Sequence, residues 1–264
     1  MKIQKSNVLK KKLVEKLKRL KKKLELKSRP KAVHIITVAK VGSSNFLHSM
    51  KNNKRYVIQH NHSLLNLKKT IDACTNTLII VGIRNPIDRN LSYFFQTYSD
   101  DFYNTVKTKK NHYKGEYCYV CSNEELKKMD NNDLIKKYFD MKYHNTFNDW
   151  FSEFFEITGI NKHSFDKEKG LQYYNLRSNN VIMFYTLEKL NKNENEICKF
   201  LKIKKLLHSN DSNEKHYKHK YQEIRKQIKY SKPYLDSLLK TDIINFFYTQ
   251  EDIESFYKKY KISE

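Results

Sequence analysis

The sequence predicts an α/β fold built on a parallel sheet, and three observations carry that prediction. Short apolar, β-branched runs alternate with stretches of helical period from Val33 onward. Two of those runs stop at turns rich in Gly, Ser, Asn and Arg, each followed by a helix-like stretch. With only five glycines and three prolines, no flexible linker divides the chain after residue 30. Taken in order, strands are expected at 33–38, 56–60, 77–83 and 181–186. Helices are expected at 44–51, 63–71, 87–98, 133–157, 192–201 and 216–229. After Pro233 the pattern is helical to the end, with a break near Tyr248. There Thr249-Gln-Glu-Asp252 reads as a capping-box start for the last helix. Residues 100–132 mix Lys, Asn, Tyr and acids without period and read as a loop over one face.

Residues 1–30 form a segment of their own, and 31–264 form the α/β domain. Val8, Leu9, Leu13, Val14, Leu17, Leu20 and Leu24 recur at helical spacing among lysines, and Arg29-Pro30 closes the pattern. Such a basic amphipathic helix either packs on the domain or a second copy, or lies on an anionic membrane. Oligomeric state is not readable from the pattern.

At 264 residues the chain is long enough to bury a real core. Its formal charge of +23 favours an anionic partner: nucleic acid, lipid, nucleotide or acidic glycan. Most of the lysines are nevertheless spread through an Asn-, Ile- and Tyr-rich sequence and coat the surface. Cys118-x-x-Cys121 is a single pair with no second pair at zinc-site spacing, which argues against a metal site. Few cysteines and no secretory hydrophobic region point to a reducing, cytoplasmic setting, with a peripheral membrane contact through 1–30 as one reading of that segment. No run of about 18 apolar residues is present.

The chemistry-bearing segments are His34-Ile-Ile-Thr-Val-Ala-Lys-Val-Gly-Ser-Ser-Asn45 and Ile80-Val-Gly-Ile-Arg-Asn-Pro-Ile-Asp-Arg-Asn-Leu-Ser92. In the first, a strand ends in a turn at a helix N-terminus, where unpaired N–H groups and the positive dipole end bind phosphate. Gly42 lets backbone approach an anion, Ser43, Ser44 and Asn45 add short donors, and Lys40 adds an ammonium. The nucleotide-binding pattern G-x-x-x-x-G-K-[ST] is not met, because Lys40 precedes Gly42 and no upstream glycine exists. That argues against an ATPase, a GTPase or a nucleotide-dependent phosphotransferase. In the second segment Arg84 leaves a buried-type strand, Pro86 suits the first helical turn, and Ser92 sits nearly two turns in. An arginine fork there can hold a phosphate bidentately, and Arg89, one turn before Ser92, either helps or pairs with an acid. Two anion sites of different character suggest a ligand with two separate phosphate groups.

Together these segments resemble the superfamily of sulfotransferases that use 3′-phosphoadenosine-5′-phosphosulfate (PAPS). Ala39-Lys-Val-Gly-Ser-Ser-Asn45 resembles the family's 5′-phosphosulfate loop, and Arg84-Asn-Pro-Ile-Asp-Arg-Asn-Leu-Ser92 its Arg-[DN]-Pro-x-x-Arg-x-x-Ser element for the 3′-phosphate. Asn148-Asp-Trp-Phe-x-x-Glu-Phe-Phe, Phe165-Asp-x-Glu-x-Gly170, Leu187-Glu-Lys-Leu-Asn191 and Asn245-Phe-Phe-Tyr-Thr-Gln-Glu-Asp-Ile253 are similar to a less studied group described as capsular polysaccharide synthesis proteins. The resemblance covers about residues 32–258. It implies a P-loop-like, three-layer α/β/α domain that moves a sulfuryl group from PAPS, without a metal, to a carbohydrate hydroxyl. Lys40, Val41, Gly42, Ser43, Ser44, Asn45, Arg84, Arg89 and Ser92 would bind the donor, and Lys40 would steady charge on the leaving phosphate. The rival reading is a catalytically silent relative, or a basic module that holds nucleic acid or anionic glycan.

A base for the acceptor hydroxyl is sought at the next strand end, Tyr56-Val-Ile-Gln-His-Asn-His62, which faces the same crevice in a parallel sheet. His60 is chosen over His62, though their order along the turn is not readable. Asp72, Glu116 and Glu188 are weaker candidates, Glu188 as a structural carboxylate. Trp150 and the pairs Phe94-Phe95, Phe154-Phe155 and Phe246-Phe247 are expected in the core. The lysine-rich stretches 202–205 and 216–220 are solvated faces or a channel for an anionic polymer.

Overall fold

Consecutive β-branched residues at Leu78-Ile-Ile-Val-Gly-Ile83 leave no polar side for solvent, so this strand must lie at the centre of a sheet covered on both faces. A computed structural model of the chain places it there and describes residues 31–65, 67–99, 121–140, 144–207 and 215–260. Five strands, β1 (Lys31–Ile36), β2 (Tyr56–Asn61), β3 (Leu78–Ile83), β4 (Leu171–Asn175) and β5 (Val181–Thr186), form one sheet in the order β2-β1-β3-β5-β4. Pairings β1–β2, β1–β3 and β3–β5 are parallel. The expected central parallel sheet is present, and it carries one antiparallel edge, where β4 pairs with β5. A short turn joins the two, with Ser178 and Asn179 in left-handed conformation, so β5 reverses beside β4 without a crossover.

Helices α1 (Ser43–Met50), α2 (Leu67–Ala73), α3 (Pro86–Tyr98), α4 (Asn123–Lys128), α5 (Asn131–Asp140) and α6 (His144–Thr158) precede β4. Helices α7 (Glu194–Leu201), α8 (Lys218–Gln227), α9 (Lys232–Leu239), α10 (Asp242–Phe247) and α11 (Gln250–Lys259) follow β5. The expected helix over 133–157 is thus two, α5 and α6. The expected loop over 100–132 holds α4, which starts on a capping box between Ser122 and Glu125. The Thr249–Asp252 capping box opens α11 as expected. Residues 1–30, the 100–120 part of the loop with Glu116 and Cys118, and 208–214 lie outside the described residues.

Period-two alternation divides the core. Val33, Ile35, Leu78, Ile80, Met183 and Tyr185 face α1 and α7, through Phe46, Met50, Ile197 and Leu201. Ile36, Ile79, Val81, Ile83, Ile182 and Phe184 face the larger helical layer, with Phe94, Phe151, Phe154 and Phe247. The sheet is therefore covered on both sides, and each fully buried aliphatic side chain contributes about 1.5–3 kcal/mol. Trp150 is 6 % exposed within this larger layer, and Phe94, Phe95, Phe154, Phe155 and Phe247 are buried beside it, while Phe246 is half-buried.

The strand order sets the functional pole. From β1 the chain moves outward to β2, then returns across β1 to β3, so direction reverses between β1 and β3. In open α/β sheets the crevice at the carboxyl ends of such strands is where ligands bind. The turns after β1 and β3, which hold both chemistry-bearing segments, border that crevice.

Candidate functional site

The turn between β1 and α1 is held from within by its carbonyls. Arg89 Nε donates to Ala39 O (3.2 Å), Arg84 Nη1 to Lys40 O (3.3 Å) and Tyr185 Oη to Val41 O (2.9 Å). In a trans peptide each N–H points opposite to the preceding carbonyl. The N–H groups of Lys40, Val41 and Gly42 therefore point away from the three side chains that anchor the turn. Gly42 takes φ +79°, in the left-handed region where a side chain is strained, and a Cβ there would meet Leu187 Cδ1 at 2.6 Å and force that side chain to shift. It is the N-cap of α1 and no side chain caps that end. The helix start keeps its positive dipole end, with Asn45 N donating to Gly42 O (3.1 Å).

Tyr185 reaches Val41 because Gly82 opposes it across β3–β5. A Cβ at Gly82 would lie 2.4 Å from the tyrosine ring. The ring packs on Phe46 of α1 at 4.8 Å between centroids and is fully buried, which pushes its hydroxyl pKa up and keeps it a neutral donor.

Lys40 itself has φ 72° and donates from Nζ to Gln96 Oε1 (2.6 Å), on α3. Gln96 follows Ser92 by four residues, so both lie on one face of α3, and Ser92 is turned toward the Lys40 side of the crevice. Burial, with the charges of Lys215, Arg84 and Arg89 around it, lowers the Lys40 pKa to about 8. Four cations thus converge on this pole. Arg84 is half-buried and also faces the Tyr221 hydroxyl of α8. Arg89 is 2 % exposed, donates from Nη1 to Asn90 Oδ1 (3.0 Å) and lies 4.6 Å over the Tyr93 ring.

The turn after β3 is pinned in turn. Asn85 caps α3 through Ile87 N (2.9 Å) and Pro86 occupies the first turn, as the sequence implies. Asn85 N donates to Glu188 Oε1 (2.8 Å), and the Tyr248 hydroxyl donates to Glu188 Oε2 (2.8 Å). Burial raises the Glu188 pKa, opposed by these donors and by Arg84. Glu188 is thereby a structural carboxylate that ties the ends of β3 and β5 to the C-terminal helices.

His60 Nε2 lies 3.0 Å from Ser43 Oγ at the first turn of α1, and burial, with His62 and His48 nearby, lowers its pKa. His62 Nδ1 faces Thr37 O at 2.7 Å, so that nitrogen carries the proton, and Trp150 Nε1 donates to His62 O (2.9 Å). The two rings meet edge-on at 4.9 Å. Thr37 Oγ1 and Asn85 Nδ2 are buried at this pole with no partner among the described residues. Asp72 stands exposed on α2.

The structure thus gathers Lys40, Val41, Gly42, Ser43, Ser44, Asn45, His60, His62, Arg84, Arg89 and Ser92 at one end of the sheet. Sequence reasoning missed Tyr185, which reads as one more apolar strand residue, and Tyr221 and Lys215, which are distant in sequence. Gln96 carried a usable signal, its spacing of four from Ser92. Among the described residues no group of three or more His, Cys, Asp or Glu is placed to hold a metal ion, and no helix is long and apolar enough to cross a membrane. Cys74, Cys121 and Cys198 are free thiols. No family model, curated protein or solved structure matches this chain.

Proposed function

We propose that the protein is a PAPS-dependent sulfotransferase with a P-loop-like, sulfotransferase-like fold, acting on a hydroxyl of a carbohydrate acceptor. The observation that carries this reading is the convergence of Lys40, Arg84, Arg89 and Lys215 beside a helix start that no side chain caps, where burial and, after it, these neighbouring charges lower the Lys40 pKa to about 8. Such mutual repulsion is relieved by a bound polyanion, and the donors fall into two groups. Lys40, Gly42, Ser43 and the N-terminus of α1 suit a 5′-phosphosulfate. Arg84 and Ser92, on the next turn and helix, suit a 3′-phosphate.

PAPS would supply the sulfuryl group, and the chain's own residues do the rest. The ammonium of Lys40 steadies negative charge that develops on the leaving phosphate oxygen, as do N–H groups of the turn. Arg89 and Tyr185 are positioning residues that hold the turn by its carbonyls. His60, with a lowered pKa, is neutral near pH 7 and takes the acceptor's proton, with Ser43 orienting its ring. His62 is the alternative base, since its protonated Nδ1 is fixed on Thr37 O and its Nε2 is the basic atom.

Calorimetric titration with 3′-phosphoadenosine-5′-phosphate (PAP) tests the proposal, with adenosine diphosphate, which lacks the 3′-phosphate, as the control. PAP should bind at least about tenfold more tightly, the equivalent of one 1.4 kcal/mol step from the second phosphate. Equal affinities would remove the 3′-phosphate site. No PAP binding, with nucleic acid or acidic glycan still bound, would replace the enzyme reading by that of a basic binding module.

A further inference from the structure

At the pole of the sheet opposite the candidate site lies an open groove of about 640 Å³. Lys54 and Arg55 from the turn before β2, and Lys202, Lys204 and Lys205 from the stretch after α7, line it, and all five are exposed. No acidic residue lines it, and none of these cations forms an ion pair with a described residue. Its two walls are tied together by hydrogen bonds. Lys202 caps α7 in left-handed conformation and turns the chain, Tyr56 Oη donates to Leu201 O (2.5 Å), and Leu207 N donates to Ser49 Oγ (2.6 Å).

The rest of the lining points to the occupant. Asn52 and Asn53 add carboxamides, and Ile203 and Leu207 add aliphatic surface. Ammonium and guanidinium groups suit carboxylates or sulfate esters, and carboxamides suit hydroxyls. The aliphatic side chains suit the C–H faces of a sugar ring. The groove has no aromatic lining on which unpaired bases would stack, which disfavours single-stranded nucleic acid. A duplex is read by elements that protrude into its grooves, whereas here the cations line a recess.

Helix α1 connects this groove to the candidate site. Ser44, Leu47, His48 and Lys51 recur at i, i+3, i+4 and i+7, so they form one stripe along the helix, about 12 Å long. At one end Ser44 stands in the turn after β1. His48 is exposed, and its charge bears on His60. Lys51, also exposed, ends the helix next to Asn52 of the groove. No acidic residue occurs in α1.

We propose that the groove and this stripe hold an acidic polysaccharide, the acceptor chain whose hydroxyl enters the crevice. The acceptor role rests on the reaction proposed above, and the binding of the chain rests on the groove alone.

Calorimetric titration of the full chain, without donor, with dextran sulfate and with neutral dextran tests it. The two polymers share a backbone, and binding is expected to the sulfated one only. The groove variant Lys54→Gln/Lys204→Gln/Lys205→Gln should bind at least about tenfold more weakly. Its affinity should also fall less steeply with salt, by about two to three in the log–log slope, since each cation on a linear polyanion releases about one counterion. The control Lys128→Gln/Lys136→Gln/Lys162→Gln removes the same charge from exposed sites elsewhere and should bind within about twofold of the parent. Equal losses in the two variants would reduce the effect to net charge and overturn the groove. Lys51→Glu should weaken binding several-fold, and unchanged affinity would remove the stripe from the track. Tighter binding of RNA or duplex DNA than of dextran sulfate, lost in the groove variant, would overturn the polysaccharide in favour of nucleic acid. PAP reads the crevice separately and should bind the groove variant within about twofold of the parent. A parent that holds dextran sulfate through the groove but does not bind PAP would overturn the acceptor role and the proposed reaction, not the groove.

Discussion

In the turn after β1 the backbone is gripped from inside and the side chains of Lys40 and Ser44 reach the partly open surface. In the turn after β3 the arrangement is reversed. Asn85, Asp88, Arg89 and Asn90 are all under 8 % exposed, and only Arg84 and Ser92 are partly open to the crevice. Asp88 is drawn well inside, paired with Lys259 and Arg225, and these cations hold its carboxyl below the usual carboxylate range against the effect of burial. The difference teaches that two segments of similar polar content divide the labour. One turns Lys40 and its N–H groups outward, and the other turns Arg84 and Arg89 onto the carbonyls of the first.

The sharpest way to break this comparison is Lys40→Ala. Transfer should fall by about 10²–10³-fold or more, as when one charge-stabilising donor is removed, with the thermal midpoint not lowered. Near-normal turnover in a labelled-sulfate assay would end the mechanism. Arg89→Leu should do the opposite: unfolding in urea should lose about 2–4 kcal/mol, because Ala39 O and Asn90 Oδ1 are left buried and unpaired. Arg84→Ala should separate the two roles within one turn. PAP affinity should weaken by about 1.5–3 kcal/mol, and a variant that loses stability but not affinity would make Arg84 a second clamp.

Tyr185→Phe removes only the hydroxyl on Val41 O. It should cost about 0.5–1.5 kcal/mol of stability and lower turnover, and the ring packing on Phe46 would be retained. Unchanged turnover would show that the turn needs no third anchor. The smallest effects concern pH. The profile of kcat/KM for the free protein should rise as His60 loses its proton below pH 6.5 and fall as Lys40 loses its own near pH 8. For stability the sign is set by the lowered Lys40 pKa. The unfolded chain keeps that proton up to about 10.5, so this group destabilises the fold at neutral pH and the penalty fades as pH rises from about 8 to 10.5. Lys40→Met should therefore gain stability at pH 7 and not at pH 10.5. A gain that persists at high pH would trace to packing instead.

Much of the sheet was legible because Val33–Ile36, Leu78–Ile83 and Val181–Thr186 are buried on both faces, and continuous apolar runs mark such strands. Leu171-Gln-Tyr-Tyr-Asn175 escaped because it is an edge strand, half-buried, whose pairing depends on the reversal at Ser178 and Asn179. Helix α4 had a readable start in Ser122-x-x-Glu125 but is six residues long, too short for periodicity to show. At the site, residue types and spacing indicated which groups gather. They did not indicate that Arg89 would face inward, since that depends on β1 and β3 lying side by side. Nor could they reveal Tyr185, whose role requires the absence of a side chain at Gly82 on the neighbouring strand.

The crowding of positive charge around Lys40 has a consequence for proton balance. An anion seated among Lys40, Arg84, Arg89 and Lys215 counters the burial and the neighbouring charges that together lower the Lys40 pKa, and the ammonium's affinity for protons rises. Ligand binding near pH 8 should therefore draw protons from the buffer. The measured enthalpy should shift in proportion to the buffer's own ionisation heat, and the midpoint of thermal unfolding should rise with the logarithm of ligand concentration.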